Sequence, residues 1–156
     1  MENIIRIGSA GSYTDRLNVL DVCLADSAFS DSSFARIQGG CRKHILKPSK
    51  KINAMVKKQA KKLKIDCKMA RVHSSDVFYG DPSMETWEQL RDRTGSDCVE
   101  MESFALFHNA NMLGKTAACL LTISDSFVTK TEISAEERQN SFTDMMKLAL
   151  ETAIAL

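Results

Sequence analysis

Apolar runs and segments of helical periodicity alternate along the chain. The apolar runs are short and rich in β-branched residues or leucine, which is typical of buried strands. Strands are predicted at residues 4–7, 19–25, 66–73 and 116–123, with a polar strand end at 97–103. Helices are predicted after Ser49, at 83–93, at 103–113 and after Ser134. This alternation indicates an α/β protein in which helices cover both faces of a sheet.

Two segments between these elements are predicted to be irregular. Residues 8–12 contain two glycines and small side chains, so they are predicted to form a turn whose backbone N–H groups approach an oxygen-rich ligand. Arg6, just before the turn, could supply positive charge to such a ligand. A plain glycine-serine turn is the alternative interpretation. The polar residues 26–40 are predicted to form a loop.

The first and last predicted helices have distinct patterns. The first follows Pro48-Ser49 and has one apolar face, while its other face carries seven lysines without an interleaved aromatic residue or arginine. This favours a solvated face over a nucleic-acid site. The last helix has a capping box at Ser134–Glu137. Its predicted apolar stripe comprises Phe142, Met145, Ala149, Leu150 and Ile154.

Composition excludes several classes of protein. The 156 residues are enough for one domain with a core, and 21 basic against 20 acidic residues give a net charge of +1. No global field therefore favours nucleic acid or a membrane as a partner. The five cysteines are scattered and form no Cys-x-x-Cys pair, which argues against a zinc site or a disulfide framework and for reduced thiols in the cytoplasm.

Two carboxylates lie one residue apart in an otherwise apolar run. If residues 97–103 form a strand end, a period of two directs Glu100 and Glu102 to one side and Met101 to the other. Two acidic groups on one side suit the binding of several sugar hydroxyls. A polar strand end in solvent is the alternative interpretation.

Further candidate residues follow other predicted strands. Ser124 and Asp125 come at the carboxyl end of the most apolar strand, where open α/β sheets bind ligands. Phe78 lies in a loop and could stack on a flat ligand or simply cover core. We expect the tips of two neighbouring strands to bring Asp125 and Glu102 around one ligand.

Four separated segments together resemble one family. They are residues 6–11 (Arg-Ile-Gly-Ser-Ala-Gly), 75–79 (Ser-Asp-Val-Phe-Tyr), 99–102 (Val-Glu-Met-Glu) and 124–125 (Ser-Asp), the last followed by Ala-Glu-Glu-Arg-Gln at 135–139. In order and approximate spacing they resemble the bacterial-type hexameric purine nucleoside phosphorylases over essentially the whole chain. The resemblance implies a three-layer αβα phosphorylase-like fold with a central mixed sheet, here N-terminally truncated.

The resemblance also implies a reaction. These enzymes reversibly convert purine ribonucleosides and deoxyribonucleosides and phosphate into free base and (deoxy)ribose 1-phosphate. Asp125 matches the residue that protonates the purine nitrogen N7, and Arg138 matches the arginine that pairs with it as the site closes. Because an aspartic acid is largely ionised at neutral pH, acid catalysis requires surroundings that favour the protonated form.

Binding roles are implied for the other matching residues. Arg6 and Ser9 match the phosphate site, and Glu102 matches the carboxylate that takes the ribose hydroxyls. The remaining matches line the ribose and base pocket: Phe78, Val99, Glu100, Met101 and Ser124. The resemblance implies no metal or cofactor beyond phosphate as co-substrate. It also implies a cytoplasmic homo-oligomer, in the family a hexamer built as a trimer of dimers.

Three alternatives to this function stay open. A nucleosidase would use water, whereas Arg6 favours phosphate. A uridine phosphorylase would act on a pyrimidine, whereas Asp125 suits a purine. A catalytically silent fragment would act only by assembling with other chains.

One departure from the family bears on activity. Family members carry a leading segment with a Gly-x-Pro-Gly-Asp phosphate loop, a histidine and arginines that complete the phosphate site, and this chain lacks that segment. Residues 1–156 are therefore interpreted as a single, incomplete phosphorylase domain. Lost sheet partners would also expose apolar surface, so we expect the chain to need a partner or an oligomer for solubility.

We expect this chain alone to show weak or absent phosphorolysis. Base and ribose recognition should be better preserved than phosphate binding, because the missing residues serve the phosphate. Isothermal titration calorimetry of the isolated chain with inorganic phosphate measures this directly. Tight phosphate binding would contradict the expectation.

Overall fold

The computed structural model describes residues 1–78, 80–134, 136–137 and 142–156. Seven strands and five helices lie in this described part of the chain. In chain order they are β1 (Asn3–Ser12), β2 (Val22–Phe29), α1 (Phe34–Gly39), β3 (Ile45–Leu46), α2 (Lys50–Leu63), β4 (Cys67–Ser74), α3 (Trp87–Thr94), β5 (Cys98–Glu100), α4 (Ser103–Met112), β6 (Thr116–Ser126), β7 (Thr131–Glu132) and α5 (Thr143–Ile154). None of these helices is long and apolar enough to cross a bilayer.

The strands form one mixed sheet in the order β3-β2-β4-β5-β1-β6-β7. β1 runs parallel to β6, while β5 runs antiparallel to β1. This confirms the predicted α/β class with a central mixed sheet. The sheet also closes on itself, because β2 pairs with β6 through residues 22–24. The sequence pattern did not predict that closure.

β6 separates the two apolar clusters of the core. Its side chains alternate, so Cys119, Leu121 and Ile123 face one way and Ala118 and Leu120 face the other. The first group packs with phenylalanines of α4, and the second with apolar residues of α2 and α5. Helices therefore cover both faces of the sheet, as the sequence predicts.

The predicted turn at residues 8–12 is wrong, because β1 continues to Ser12. The two glycines of this segment allow side chains to lie close to the backbone of the strand. A Cβ atom at Gly8 would lie 2.6 Å from Nη1 of Arg6, and one at Gly11 would lie 2.6 Å from Oδ2 of Asp125. Both side chains therefore lie directly over the backbone of β1.

The predicted loop at residues 26–40 is also wrong. β2 extends to Phe29, and α1 occupies residues 34–39. The predicted helix at 83–93 begins later, at Trp87, because Thr86 caps it. The Thr86 side chain accepts from the backbone N–H of Gln89, whose own side chain accepts from Thr86.

α2 agrees with the sequence pattern. Its first turn is capped by Ser49, whose hydroxyl accepts a hydrogen bond from the backbone N–H of Ile52 at 3.3 Å. Ile52, Val56 and Ala60 are buried, whereas all seven lysines on the opposite face are exposed. The predicted division into an apolar and a solvated face is confirmed.

α5 departs from its predicted apolar stripe. The hydrogen bonds of the Ser134–Glu137 capping box form, but α5 begins only at Thr143. Leu150 is 66% exposed and Ile154 is 82% exposed, so these two assignments were wrong. The buried residues follow the three-and-four spacing of a helix packed on one side: Met145, Leu148, Ala149 and Thr152.

β1 has a partner along its whole length on one side only. It pairs with β6 from Asn3 to Ser12, whereas β5 pairs only with Gly11 and Ser12. Among the pairings of the described residues, the β5-side edge of residues 3–10 is therefore open. Beside it, an apolar cavity of about 720 Å³ is bounded by α5 and the start of β1, including Ile5 and Ile7.

We predict that Leu148→Ala lowers the free energy of unfolding by about 2–5 kcal/mol, because the fully buried side chain leaves a cavity. Leu150→Ala, two residues away on the same helix, should cost less than about 1 kcal/mol because its side chain is mostly exposed. Urea denaturation of both variants measures the difference. Equal losses would contradict the observed orientation of α5.

Candidate functional site

One row of paired residues crosses six strands of the sheet. Gly11 pairs with Val99 on one side and with Asp125 on the other. Adjacent strands are about 4.8 Å apart, so Val99 and Asp125 flank Gly11 at a separation of roughly 10 Å. Residues paired in one row project to the same face. The complete row is Phe29, His73, Val99, Gly11, Asp125 and Glu132.

A β-bulge sets the direction of Asp125. Ala10 pairs with Ile123 and Gly11 pairs with Asp125, so Ser124 is an extra residue on β6. In a ladder without this bulge, Asp125 would pair with Ser12 and would project to the same face as Ile123, into the core. The Ser124 hydroxyl donates a hydrogen bond to Oδ1 of Asp125 at 2.7 Å. The two residues that the sequence placed at the end of this strand therefore act on each other directly.

Aromatic rings surround the Gly11 end of the row. Phe127 Cε2 would lie 2.7 Å from a Cβ atom at Gly11, so its ring lies next to Asp125. The centroid of the Phe127 ring is 5.4 Å from that of Tyr13 and 6.1 Å from that of Trp87. Sequence reasoning missed these rings. Strand alternation offered one signal, since Phe127 follows Asp125 by two residues.

Tyr13, one of these rings, forms a neutral pair with His73. The Tyr13 hydroxyl is 3.3 Å from Nδ1 of His73, and both residues are buried. Burial raises the pKa of Tyr13, with Cys98 adding to the effect. Burial also lowers the pKa of His73. Both shifts favour uncharged forms, so this contact joins a neutral phenol and a neutral imidazole.

An ionic cluster lies further back along β1. Arg6 Nη2 donates to Oε2 of Glu102 and is 3.3 Å from Oε2 of Glu100. Arg6 Nη1 is 3.6 Å from Sγ of Cys119. Burial acts to lower the pKa of Arg6, but Cys119, Glu100 and Glu102 together raise it above its ordinary value. The guanidinium therefore stays charged between two carboxylates.

The two glutamates of the cluster have different surroundings. The Glu100 side chain is 2% exposed, whereas that of Glu102 is 59% exposed. Glu100 accepts hydrogen bonds from the backbone N–H groups of Glu102 and Ser103 at 3.0 and 3.1 Å, and from the Ser103 hydroxyl at 2.6 Å. It thereby satisfies the start of α4, where helices favour negative charge. The Glu102 side chain makes no capping hydrogen bond to α4.

The expectation that Asp125 and Glu102 lie on neighbouring strands is wrong, because β1 lies between β5 and β6. Arg6 lies over Gly8 and Asp125 lies over Gly11, three residues along β1, or roughly 10 Å at the rise of a strand. Alternation directs these two glycine positions to opposite faces of the sheet. None of the contacts recorded for the described residues joins Asp125 to the Arg6 cluster.

The structure also gives the positions of the other predicted residues. Ser9 pairs with Thr122 in the middle of β1 and is half-buried. Met101 follows β5 and is 39% exposed, and Phe78 lies in the loop after β4 and is 75% exposed. Arg138 lies outside the described residues. Within the described ranges, no group of three or more His, Cys, Asp or Glu side chains could hold a metal ion.

The fold and this geometry define a class: a mixed α/β protein with an ionic cluster and an aspartate along one central strand. Comparison with sequence families then gives the family. The model described as "Phosphorylase superfamily" matches residues 1–156. The chain belongs to the phosphorylase superfamily.

Curated relatives agree with this assignment. The chain is 40% identical over 159 residues to "Purine nucleoside phosphorylase DeoD-type" of Clostridium beijerinckii, covering 97% of this chain and 63% of that protein. It is 36% identical over 154 residues to "Purine nucleoside phosphorylase DeoD-type 2" of Vibrio parahaemolyticus, covering 99% and 64%. A DeoD-type protein of Caldanaerobacter subterraneus is 37% identical over 153 residues, covering 98% and 65%. The chain thus spans less than two thirds of the length of these relatives.

We predict that Glu100→Gln and Glu102→Gln affect stability unequally. Glu100→Gln replaces the carboxylate that accepts hydrogen bonds from the first N–H groups of α4 with a neutral amide, and should lower the free energy of unfolding by about 1–3 kcal/mol. Glu102→Gln changes an exposed pair and should cost about 1 kcal/mol or less. Urea denaturation at neutral pH compares the two. A larger loss for Glu102→Gln would contradict the structural role assigned to Glu100.

Proposed function

We propose that this chain is the larger part of a purine nucleoside phosphorylase. The reaction breaks the bond between C1′ of the sugar and N9 of the purine and joins C1′ to a phosphate oxygen. The observation that carries the proposal is that one strand, β1, carries Arg6 beside Glu102 and contacts Asp125 over Gly11. The names of the relatives support the choice of substrate.

Arg6 and Ser9 are proposed to hold the phosphate. Nη2 of Arg6 contacts both Glu100 and Glu102, and we propose that the phosphate displaces one of these carboxylates. Glu102 is the group that can leave, since its side chain is 59% exposed and Glu100 is held by α4. Once released from Arg6, Glu102 can accept hydrogen bonds from the ribose hydroxyls. Phosphate binding would thus prepare the sugar site.

Asp125 is proposed to transfer a proton to N7 as the C1′–N9 bond breaks. The Ser124 hydroxyl occupies Oδ1, and Oδ2 projects over the backbone of Gly11. Loss of the base leaves positive charge on the sugar, which Glu102 and the phosphate would stabilise. Val99, Met101 and Phe78 are proposed to line the pocket, with Glu100 supporting Glu102. Arg138 is proposed to pair with the Asp125 carboxylate after proton transfer.

The open edge of β1 bears on where a ligand could contact both Asp125 and the Arg6 cluster. The ionic cluster and Asp125 project to opposite faces of the sheet, so a ligand over either face alone would reach only one of them. Over residues 3–10, no neighbouring strand of the described chain separates the faces on the β5 side. A nucleoside that contacts both groups would have to extend from this edge to the level of Gly11, where Asp125 lies on β6.

The proposal extends to the working form of the protein. Because the chain spans less than two thirds of its relatives, we propose that residues 1–156 belong to one phosphorylase domain that functions in a homo-oligomer, a hexamer built as a trimer of dimers. We propose that inorganic phosphate is the co-substrate and that the reaction uses no cofactor. The five free cysteines favour a cytoplasmic location. Light scattering measures the oligomeric state.

A nucleosidase is the second candidate, and the Arg6 cluster favours it. Two carboxylates outweigh the single positive charge of Arg6, and this excess negative charge opposes phosphate binding. Release of hypoxanthine from inosine, measured by chromatography with and without phosphate, separates the two reactions. Uridine in the same assay tests pyrimidine cleavage. Base release that does not depend on phosphate would establish hydrolysis.

We predict that Asp125→Asn lowers the turnover of inosine by about 10²–10⁴, because the amide cannot supply the proton. Fold and phosphate binding should be retained, as measured by circular dichroism and calorimetry. Glu132→Gln is the matched control, since Glu132 is the exposed neighbour of Asp125 in the same row. Near-normal turnover by Asp125→Asn would remove Asp125 from the mechanism.

A further inference from the structure

Phe127 lies next to the proposed acid, Asp125, beside Gly11. Its ring and the Asp125 carboxylate approach the same point, the space where Gly11 has no side chain, to within 2.7 and 2.6 Å. Phe78 is in the loop after β4 and is 75% exposed. A planar base that receives a proton from Asp125 must therefore lie beside Phe127.

The backbone around Phe127 is fixed on both sides. The N–H of Phe127 donates to the carbonyl oxygen of Ser12 at 3.0 Å, which continues the contact between β6 and β1. The N–H of Thr129 donates to the Ser126 hydroxyl at 3.2 Å, and the Thr129 and Thr131 hydroxyls are 2.6 Å apart. These bonds hold the β6–β7 connection against the end of β1. The ring is thus positioned before any ligand arrives.

The neighbouring rings leave part of Phe127 open. Tyr13 meets it in an edge-on arrangement and is itself 3% exposed, while Trp87 lies behind at a tilt of 37°. Phe127 remains 38% exposed. Tyr13 is buried and Trp87 is half-buried, so Phe127 presents an accessible ring to a flat heterocycle, which gains from stacking on a ring whose position is already fixed.

We infer that Phe127 is the residue on which the purine base stacks in this chain, with Tyr13 and Trp87 supporting it from behind. The inference rests on the proposed function and adds a residue to the base site. Stacking on Phe127 would hold the purine plane beside Asp125 and would favour the two-ring purines over the smaller pyrimidines. Phe127 would thereby contribute to substrate choice.

Trp87 provides a readout that does not depend on turnover. It is the single tryptophan of the chain, and its ring centroid is 6.1 Å from that of Phe127. Titration with hypoxanthine or inosine should change its fluorescence as the base stacks. For Phe127→Leu, the dissociation constant should rise about 5- to 100-fold, the usual effect of removing a stacking ring. Phe127→Tyr keeps the ring and should bind as the unmodified chain does.

Two matched variants complete the experiment. Phe78→Leu should weaken binding less than Phe127→Leu, and Phe34→Leu should not affect it, because Phe34 lies on α1 with 37% exposure. Circular dichroism checks folding, and Phe127→Met replaces the leucine variant if that does not fold. Unchanged binding by the folded Phe127 variant, or a larger loss for Phe78→Leu, overturns the inference and leaves the proposed function intact. If the unmodified chain binds neither hypoxanthine nor inosine, the proposed function fails and the inference fails with it.

Discussion

The pairing of β1 with β6 is the interaction on which the rest of the structure depends. It runs the whole length of β1 and joins the start of the chain to the strand that separates the two halves of the core. A perfect ladder would have directed Asp125 into the core. The extra residue on β6, Ser124, turns Asp125 towards Gly11 instead, so one irregularity within this long ladder sets the position of Asp125 in the candidate site.

A buried carboxylate organises the other half of the site. Glu100 cannot be buried without partners, and it finds them in the first N–H groups of α4 and in Arg6. One charge therefore fixes three elements relative to one another: β5, α4 and β1. Because Glu100 makes these contacts, the Glu102 side chain is left exposed, where it can exchange Arg6 for another hydrogen-bond partner. Neighbouring residues of the same type thus have different tasks, set by their surroundings.

Periodicity predicted much of the fold but less of the site. It identified β6 and α2, because their patterns of burial are continuous, and it indicated that Glu100 and Glu102 share a side. It failed at Gly8 and Gly11, where glycine signals close approach of a side chain as readily as a turn. The bulge at Ser124 also left no trace in the pattern, because it depends on how two distant strands align. Contacts between strands, such as that of Phe127 with Gly11, lie beyond local sequence.

The one-sided pairing of β1 has a consequence for dynamics. In a parallel pair, every second residue directs its amide and carbonyl groups away from its neighbour, so along residues 3–10 these groups have no partner strand within the described part of the chain. Amide hydrogens there exchange with solvent during small local openings, whereas those of the buried β6 wait for larger ones. Arg6 and Ser9 thus lie on a strand that is paired on one side, whereas Asp125 has a paired strand on each side. The Arg6 end and the Asp125 end of the candidate site therefore differ in strand pairing as well as in charge.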